Sequence, residues 1–387
     1  MTAGMARQDD VVIVGGGPAG ALAALLLARR GYRVRVFERA RFPRPKLCGD
    51  TLNPGALATL ARHADIAPLL ALGRPLHGMR LSGTGGPAVE ARYPRGLAGL
   101  TVVRRDLDDA LLRQAAAAGA LVEDGVLVRG AARGGEAVDG VIVATAQGDR
   151  AHPGRLVVGA DGRTSALAGG LGLAWTPREP RRWAFGAYAE GVDGMAADLG
   201  EMHVRRGSYL GLAPVAEGVT NVCVVVPRAA AARFGASPWQ AMRAAVADDP
   251  ALSARLAGAR PVARVVSLGP MARDIRAAGV PGLLLAGDAA GFIDPMTGDG
   301  LRLAIDGAVL AADLAADVLD GRVSRQGAAD ALTRRRAQAF AAKWRFNRTV
   351  RRLVDAPAAV RAAVGLAEIW PGLAQALVGY AGDLALA

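Results

Sequence analysis

The chain has 387 residues, 52% of them hydrophobic, and a net charge of +12, which is length enough to bury a large core across two or three domains. No stretch offers about 18 uninterrupted apolar residues, so an integral membrane protein is excluded, and the short polar start ending in Asp9 and Asp10 is unlike a secretion signal, so a cytoplasmic location is expected. Two cysteines, Cys48 and Cys223, make no disulfide framework, four histidines give no metal-ligand cluster, and the basic excess is mostly arginine in an Ala/Gly/Arg-rich chain.

Val11 to Gly20 reads VVIVGGGPAG, an apolar strand running into Gly-x-Gly-x-x-Gly and then into an Ala/Leu-rich helix. That pattern predicts a dinucleotide-binding βαβ unit. Gly15 permits the tight turn, Gly17 lets backbone amides approach a pyrophosphate at the helix N-terminus, and Gly20 lets the helix pack close. The helix stops at Gly31, and the strand Tyr32 to Phe37 closes on Glu38, placed to accept hydrogen bonds from ribose hydroxyls.

Arg39 to Asp50 (RARFPRPKLCGD) is a loop, because Pro43 and Pro45 remove donors and fix the backbone. Residues 51 to 72 are expected to be helical and 76 to 93 to form short strands. Leu107 to Ala118 forms an amphipathic helix, and strands with Gly turns fill 120 to 158. From Trp175 to Pro261 the texture is that of an antiparallel sheet, interrupted by a helix at about 237 to 257. A buried strand returns at 280 to 288, a long helix follows from Gly300 to Asp320, and the tail from Gln326 is helical and Arg-rich.

Two further motifs follow buried strands: Gly159-Ala160-Asp161-Gly162-Arg163-Thr164-Ser165 and Gly287-Asp288-Ala289-Ala290. With the first glycine turn they resemble the three fingerprints of the flavoprotein aromatic hydroxylase and geranylgeranyl reductase superfamily, over roughly residues 8 to 325. The resemblance implies an α/β fold: a Rossmann-type FAD-binding domain of the glutathione-reductase-like, hydroxylase type, an antiparallel β-sheet substrate domain, and C-terminal helices. The expected division is 1–73, 97–174 and 263–325 for the FAD domain, 74–96 and 175–262 for the substrate domain, and 326–387 for the helical region.

On that resemblance FAD contacts fall to Gly15, Gly17, Pro18, Ala19 and Gly20, to Glu38 and Arg39, and to Arg104 in the pattern Arg-x-x-Leu-Asp. They continue with Asp161 and Gly162, then Gly287 and Asp288, the latter toward a ribityl hydroxyl. Pro295 lies beside the flavin ring, and Gly298, Gly300 and Leu301 open a helix whose amides face flavin N1 and O2. A helix N-terminus stabilises negative charge there. The chain offers no second Gly-x-Gly-x-x-Gly after a strand, so electrons are expected from transiently docked NAD(P)H or from a partner flavin reductase.

The loop Phe42-Pro43-Arg44-Pro45-Lys46-Leu47-Cys48-Gly49-Asp50 resembles that of the geranylgeranyl reductases, where it runs along the flavin face. This adds Arg44, Lys46, Cys48 and Gly49 to the cofactor contacts, and Cys48 to the catalytic candidates with Tyr209 and Pro295. The prenyl reductases carry Tyr-x-Trp-x-Phe-Pro on a strand lining the substrate cavity. Here the matching segment is Tyr209-Leu210-Gly211-Leu212-Ala213-Pro214, so Gly211, Ala213 and Pro214 are the expected pocket residues and bulky walls are missing.

That wider pocket favours oxygen-dependent hydroxylation of a hydrophobic aromatic or polyketide compound through a flavin C4a-hydroperoxide, with alkene reduction of a prenyl or lipid substrate as the alternative. Proton donors for the latter are Tyr209, Cys48 and His203, although His203 is expected on a strand surface. The Trp-x-Trp-x-Ile-Pro signature of flavin halogenases is absent. Nucleic acid is not an expected partner, because aromatic-interleaved basic runs are lacking. Arg334 to Val354 surrounds Trp344 and Phe346 with basic residues, a pattern compatible with peripheral membrane contact as well as with a solvated capping helix.

Overall fold

The computed structural model describes residues 8–83, 88–178, 182–235, 237–292, 296, 298–354, 356, 358, 362, 365–366 and 369–382. In chain order the elements that build the site begin with β1 (Asp9–Val14), α1 (Pro18–Arg29), β2 (Val34–Glu38), α2 (Pro54–His63), β3 (Gly78–Ser82) and β4 (Ala88–Arg92). There follow α3 (Arg104–Ala117), β5 (Leu121–Asp124), β6 (Val128–Gly134), β7 (Ala137–Thr145) and β8 (Gly148–Gly159). The sequence continues through β9 (Arg182–Glu190), β10 (Leu199–Arg205), β11 (Ser208–Ala216), β12 (Val219–Pro227), β13 (Leu283–Leu285), α4 (Gly300–Leu319), α5 (Arg325–Val354) and α6 (Pro371–Ala381).

The first sheet runs β13-β8-β1-β2-β5, all parallel, with the short strand Gly279–Val280 antiparallel at one edge. Its central strands are apolar on both faces because both are covered. On one side Val11, Ile13, Val34 and Val36 pack against α1, α3 and α4. On the other, Val12, Val14, Val157 and Leu285 meet the β6–β7 hairpin, which extends antiparallel from β8. Within α1, Leu22, Leu25 and Leu27 are 0–1% exposed, and burying each contributes about 1.5–3 kcal/mol.

The second sheet runs β9-β12-β11-β10-β3-β4, antiparallel except for the parallel pair β3–β10. One face, with Leu210, Leu212, Val222 and Val224, packs on the short helices of residues 228–255. The opposite face turns toward the first sheet, and the cavity described below lies between them. α5 reaches back to the first sheet, where buried Arg336 donates Nη2 to the Ala290 carbonyl at 2.9 Å.

Three expectations need correcting. The helix anticipated at 237–257 is broken into Pro238–Ala244 and Pro250–Arg255: Asp249, ahead of Pro250, is held extended, and its side chain caps the second segment by accepting from Leu252 N at 3.0 Å. Residues 51–72 likewise divide, into the strand Thr51–Leu52, α2 and the helix Ala67–Leu72, because the chain turns extended at Ala64. His203 is not on a strand surface but 3% exposed within β10. Its environment is described with the site.

Candidate active site

The turns that follow β1, β8 and β13 meet at one cavity of about 840 Å³, outside the carboxyl ends of the parallel strands. Gly15 leaves β1 at φ +103°, and a Cβ there would lie 2.3 Å from the Ala160 carbonyl oxygen. A Cβ on Gly20 would lie 1.8 Å from the Gly15 oxygen, so glycine at both positions lets the helix and both strand-end turns close on one another. Gly15, Gly17, Pro18 and Ala19 line the cavity, whereas Gly20 is behind it.

Glu38 is 5% exposed and fixes its own turn, its carboxylate accepting from Gly16 N at 2.8 Å and Ala40 N at 2.9 Å. Arg39 lines the cavity at its exposed rim. Arg44, Lys46, Cys48 and Gly49 form one wall. Arg104, at the first turn of α3, donates to both Asp108 carboxylate oxygens at 2.8 and 2.9 Å, and Arg44 reaches Asp108 at 2.9 Å. Burial works against the charge on Arg104, but Asp108 outweighs it and keeps the guanidinium ionised.

Asp161, Gly162, Gly287 and Asp288 complete this end, and Gly298, Gly300 and Leu301 bring the N-terminus of α4 to it. Burial raises the pKa of Asp161 and of Asp288, against the pull of Lys46 and Arg104 on the latter. Pro295 lies outside the described residues.

This end suits a dinucleotide. A Cβ on Gly17 would meet nothing nearer than Arg44 Nη2 at 3.6 Å and Arg104 Nη2 at 3.9 Å, which leaves a cradle between helix N-terminus and guanidinium groups. Asp161 Oδ1 is buried with no hydrogen-bond partner among the described residues. The Arg44 and Arg104 guanidinium groups at the cradle suit a pyrophosphate, while Lys46 Nζ lies further along, 3.7 Å from where a Cβ on Gly162 would be, with its pKa lowered by burial.

The far side of the cavity belongs to the second sheet. Tyr209, Gly211 and Ala213 alternate along β11 toward it. Tyr209 is 3% exposed and packs with Ala184, Val225, Met271 and Met296. A Cβ on Gly211 would meet Met202 Cε at 3.7 Å and the Cys223 and Glu201 carbonyl oxygens at 4.0 Å, ordinary contacts, so this part of the wall tolerates a side chain without a clash at Cβ. Pro214 does not reach the cavity; its carbonyl accepts from Thr101 Oγ1 at 2.6 Å.

Sequence reasoning missed how the Cys48 loop is held. Asp50, at φ +53° and fully buried, accepts from Tyr188 Oη at 2.7 Å, from Asn221 Nδ2 at 2.6 Å and from Arg104 N at 3.2 Å. Asn221 also donates to the Cys48 carbonyl at 2.7 Å. Burial pushes Asp50 up to about 6 despite these bonds, and burial likewise pushes the Cys48 thiol up, with Arg104 pulling the other way. Asp50 stood in the loop motif, but nothing local tied it to residues 138 and 171 positions away.

A second buried cluster, of which Ser82 and Glu201 touch the cavity, lies toward β3. His203 bonds Ser82 Oγ through Nδ1 and Glu201 through Nε2, each at 2.7 Å, and Arg255 pairs with the same carboxylate at 2.6 Å. Burial opposes ionisation of Glu201, but the bonds from His203 and Arg255 hold it down to about 2. With both ring nitrogens engaged and no place on the lining, His203 is part of the sheet's internal bracing.

Comparison with known proteins places this geometry. The family described as FAD binding domain matches residues 8–345. The menaquinone reductase of Mycolicibacterium smegmatis is 32% identical over 324 residues, covering 80% of this chain and 77% of that protein. The digeranylgeranylglycerophospholipid reductase of Methanosarcina acetivorans is 25% identical over 317 residues, covering 80% and 75%. Among solved structures, the flavin-dependent brominase Bmp2 superposes with a TM-score of 0.82 at 21% identity, over 97% of this chain and 95% of that one, which establishes a shared fold.

Proposed function

We propose, from the premise that this chain belongs to the FAD-binding-domain family of flavoprotein oxidoreductases, that it reduces a carbon–carbon double bond in a polyprenyl or related lipid substrate. The observation that carries this reading is a protonated group in the cavity wall: Cys48, with its thiol pKa raised by burial, beside the glycine cradle. Reduction of an isolated alkene needs a proton donor, whereas hydroxylation of an activated ring needs none from the protein.

The residues that would hold FAD are Gly15, Gly17, Pro18 and Ala19 with the N-terminus of α1 at the pyrophosphate, and Glu38 and Arg39 at the adenosine ribose. Arg44, Lys46 and Arg104 supply the compensating charge, and Asp161, Gly162, Gly287 and Asp288 line the path toward the flavin, with Gly298, Gly300 and Leu301 at its ring. When bound and reduced, FAD supplies two electrons and one hydrogen to a substrate held against it, after reduction by NAD(P)H or a partner reductase.

This chain's share is then to place the alkene, exclude water and provide the remaining proton. Met202, Val204, Val225, Leu268 and Met271 make the substrate end apolar and dry. Cys48 Sγ gives its proton to the second alkene carbon, and the thiolate left behind lies within reach of the Arg104 guanidinium, which stabilises it until solvent restores the proton. Asn221 and Asp50 keep the loop backbone at Cys48 in place. Tyr209, which also lines the cavity, is the alternative donor. The two named reductases support the reading, since each acts, by its name, on a prenyl-bearing lipid.

The second reading, oxygen-dependent hydroxylation of a bulky aromatic or polyketide compound, is favoured by the small residues Gly211 and Ala213 on the cavity wall. One experiment separates the two. The FAD-loaded protein is reduced with dithionite without oxygen, given polyprenyl quinones and lipids in detergent, and the products are weighed. A gain of two hydrogens, both of them deuterium in heavy water because dithionite supplies only electrons, and at least a 100-fold slower step in Cys48→Ala with Tyr209→Phe, are expected. Incorporation of ¹⁸O from ¹⁸O₂ with no anaerobic product would replace reduction by hydroxylation.

A further inference from the structure

The cavity reaches the surface on the C-terminal helices, and those helices carry a surface chemistry that the active site does not use. Phe346 and Thr349 of α5 and Val378 of α6 line the cavity, and Thr349 is exposed, so its mouth opens on α5. Beside it stand Arg345, Arg348 and Arg352, all exposed. At about 100° per residue these three and Arg334 fall within one sector of about 60° on the helix. No Asp or Glu occurs between Leu332 and Val354, and the ion pairs among the described residues include none of the four arginines.

The neighbouring helix is fastened at its C-terminal end. Tyr380 of α6 packs edge-on against Phe346 with ring centroids 5.0 Å apart, Val378 is buried against Ala91 and Tyr93, and the Gly382 carbonyl accepts from Gly55 N at 3.1 Å. Ahead of the other end, Leu366, Ile369 and Trp370 are 49, 75 and 68% exposed. Trp370 N donates to the Leu366 carbonyl at 2.8 Å, the bond of one helical turn, which sets the three side chains on one side. Three large apolar side chains in one turn, in a chain that also carries a basic helix, are the chemistry of an interfacial segment.

We infer that this face docks on an anionic lipid bilayer, with Arg345, Arg348 and Arg352 against the headgroups and Ile369 and Trp370 in the acyl boundary, so that the mouth at Thr349 opens toward the membrane. The inference rests on the proposed lipid substrate for its purpose but not for its test. No helix among the described residues is long and apolar enough to cross a membrane, so the contact is peripheral. Charge complementarity selects the lipid: each arginine near an anionic surface strengthens binding about fivefold, and a neutral surface loses that gain.

The test is co-sedimentation of the FAD-loaded full chain with vesicles of phosphatidylcholine alone or with 30% phosphatidylglycerol. Binding is expected to the anionic vesicles, to weaken in 0.5 M salt, and to fall roughly 100-fold in the triple variant Arg345→Gln, Arg348→Gln, Arg352→Gln. Trp370→Ala should lower it further, while flavin absorbance and reduction by dithionite stay as in the parent. Equal binding to neutral vesicles, no change in the triple variant, or tight binding to RNA in place of vesicles would overturn it. Vesicle binding with no alkene product would leave the docking face standing and remove the proposed reaction.

Discussion

Asp50→Asn tests the electrostatics of the Cys48 loop, and it should gain on the parent in stability as pH rises. At φ +53° the position is left-handed, a conformation that Asn adopts more readily than most residues, so the backbone has no reason to move. Burial lifts the carboxyl from 3.8 to about 6, and a difference of about 2.2 pH units corresponds to roughly 3 kcal/mol. Since the folded pKa is the higher one, this stability is fully present below the unfolded value and is lost as pH rises through 6. A neutral amide escapes that loss. Its oxygen still accepts from Tyr188 and Asn221, but its NH2 faces Arg104 N, itself a donor, so that bond is lost at every pH at a cost of about 1–3 kcal/mol. The pH-dependent part survives that offset: the stability of the variant relative to the parent should rise by about 1.5 kcal/mol between pH 5 and pH 8. For a chain of this length that step is a Tm difference of roughly 2 °C. Thermal unfolding of both FAD-loaded proteins at pH 8 and pH 5 reads it directly. A variant that gains nothing on the parent between pH 5 and pH 8 would refute the reasoning.

Gly211→Trp with Ala213→Phe restores the bulk that prenyl reductases place on this strand. Both positions line the cavity and a Cβ on Gly211 makes only ordinary contacts, so turnover of substrates with a fused-ring head should fall at least tenfold while linear prenyl chains are spared; equal kinetics on both would show that β11 does not wall the substrate. Glu201→Gln removes the anion that His203, Arg255 and Arg80 surround. Its folded pKa of about 2 lies below the unfolded 4.5, so its stabilisation of about 3 kcal/mol is present above pH 4.5 and lost as pH falls toward 2. Urea unfolding at pH 7 should show a loss of at least that size, and an unchanged midpoint would contradict it.

The sequence announces what is local. The strand–turn–helix at Val11 to Gly20, the two later strand-end motifs and the amphipathic α3 are each written in consecutive residues, and periodicity recovers them. The breaks at Ala64 and before Pro250 depend on caps and on extended backbone at single residues, which a periodic pattern smooths over. What brings Asp50 to Tyr188 and Asn221 is pairing of β9 with β12 and their placement against the loop, a long-range arrangement with no signature at any of the three positions. His203 misled for the same reason: one polar residue in a strand reads as solvent-facing until Glu201 and Ser82 are known to meet it.

The order of the first sheet also has a temporal side. β8 separates β1 from β13, and the pairings Val14 to Gly159 and Gly159 to Leu285 each join residues more than a hundred positions apart. Parallel pairings of such separation close large loops before they gain contacts, and form slowly. On the ribosome the glycine turn is made early, but Asp288 and the N-terminus of α4 emerge only when three-quarters of the chain exists. Capture of the cofactor is therefore a late step of biosynthesis, and until then the apolar α1 waits without α4, the helix that packs on it. A nascent chain halted before β13 should be a client of chaperones rather than a partly loaded flavoprotein.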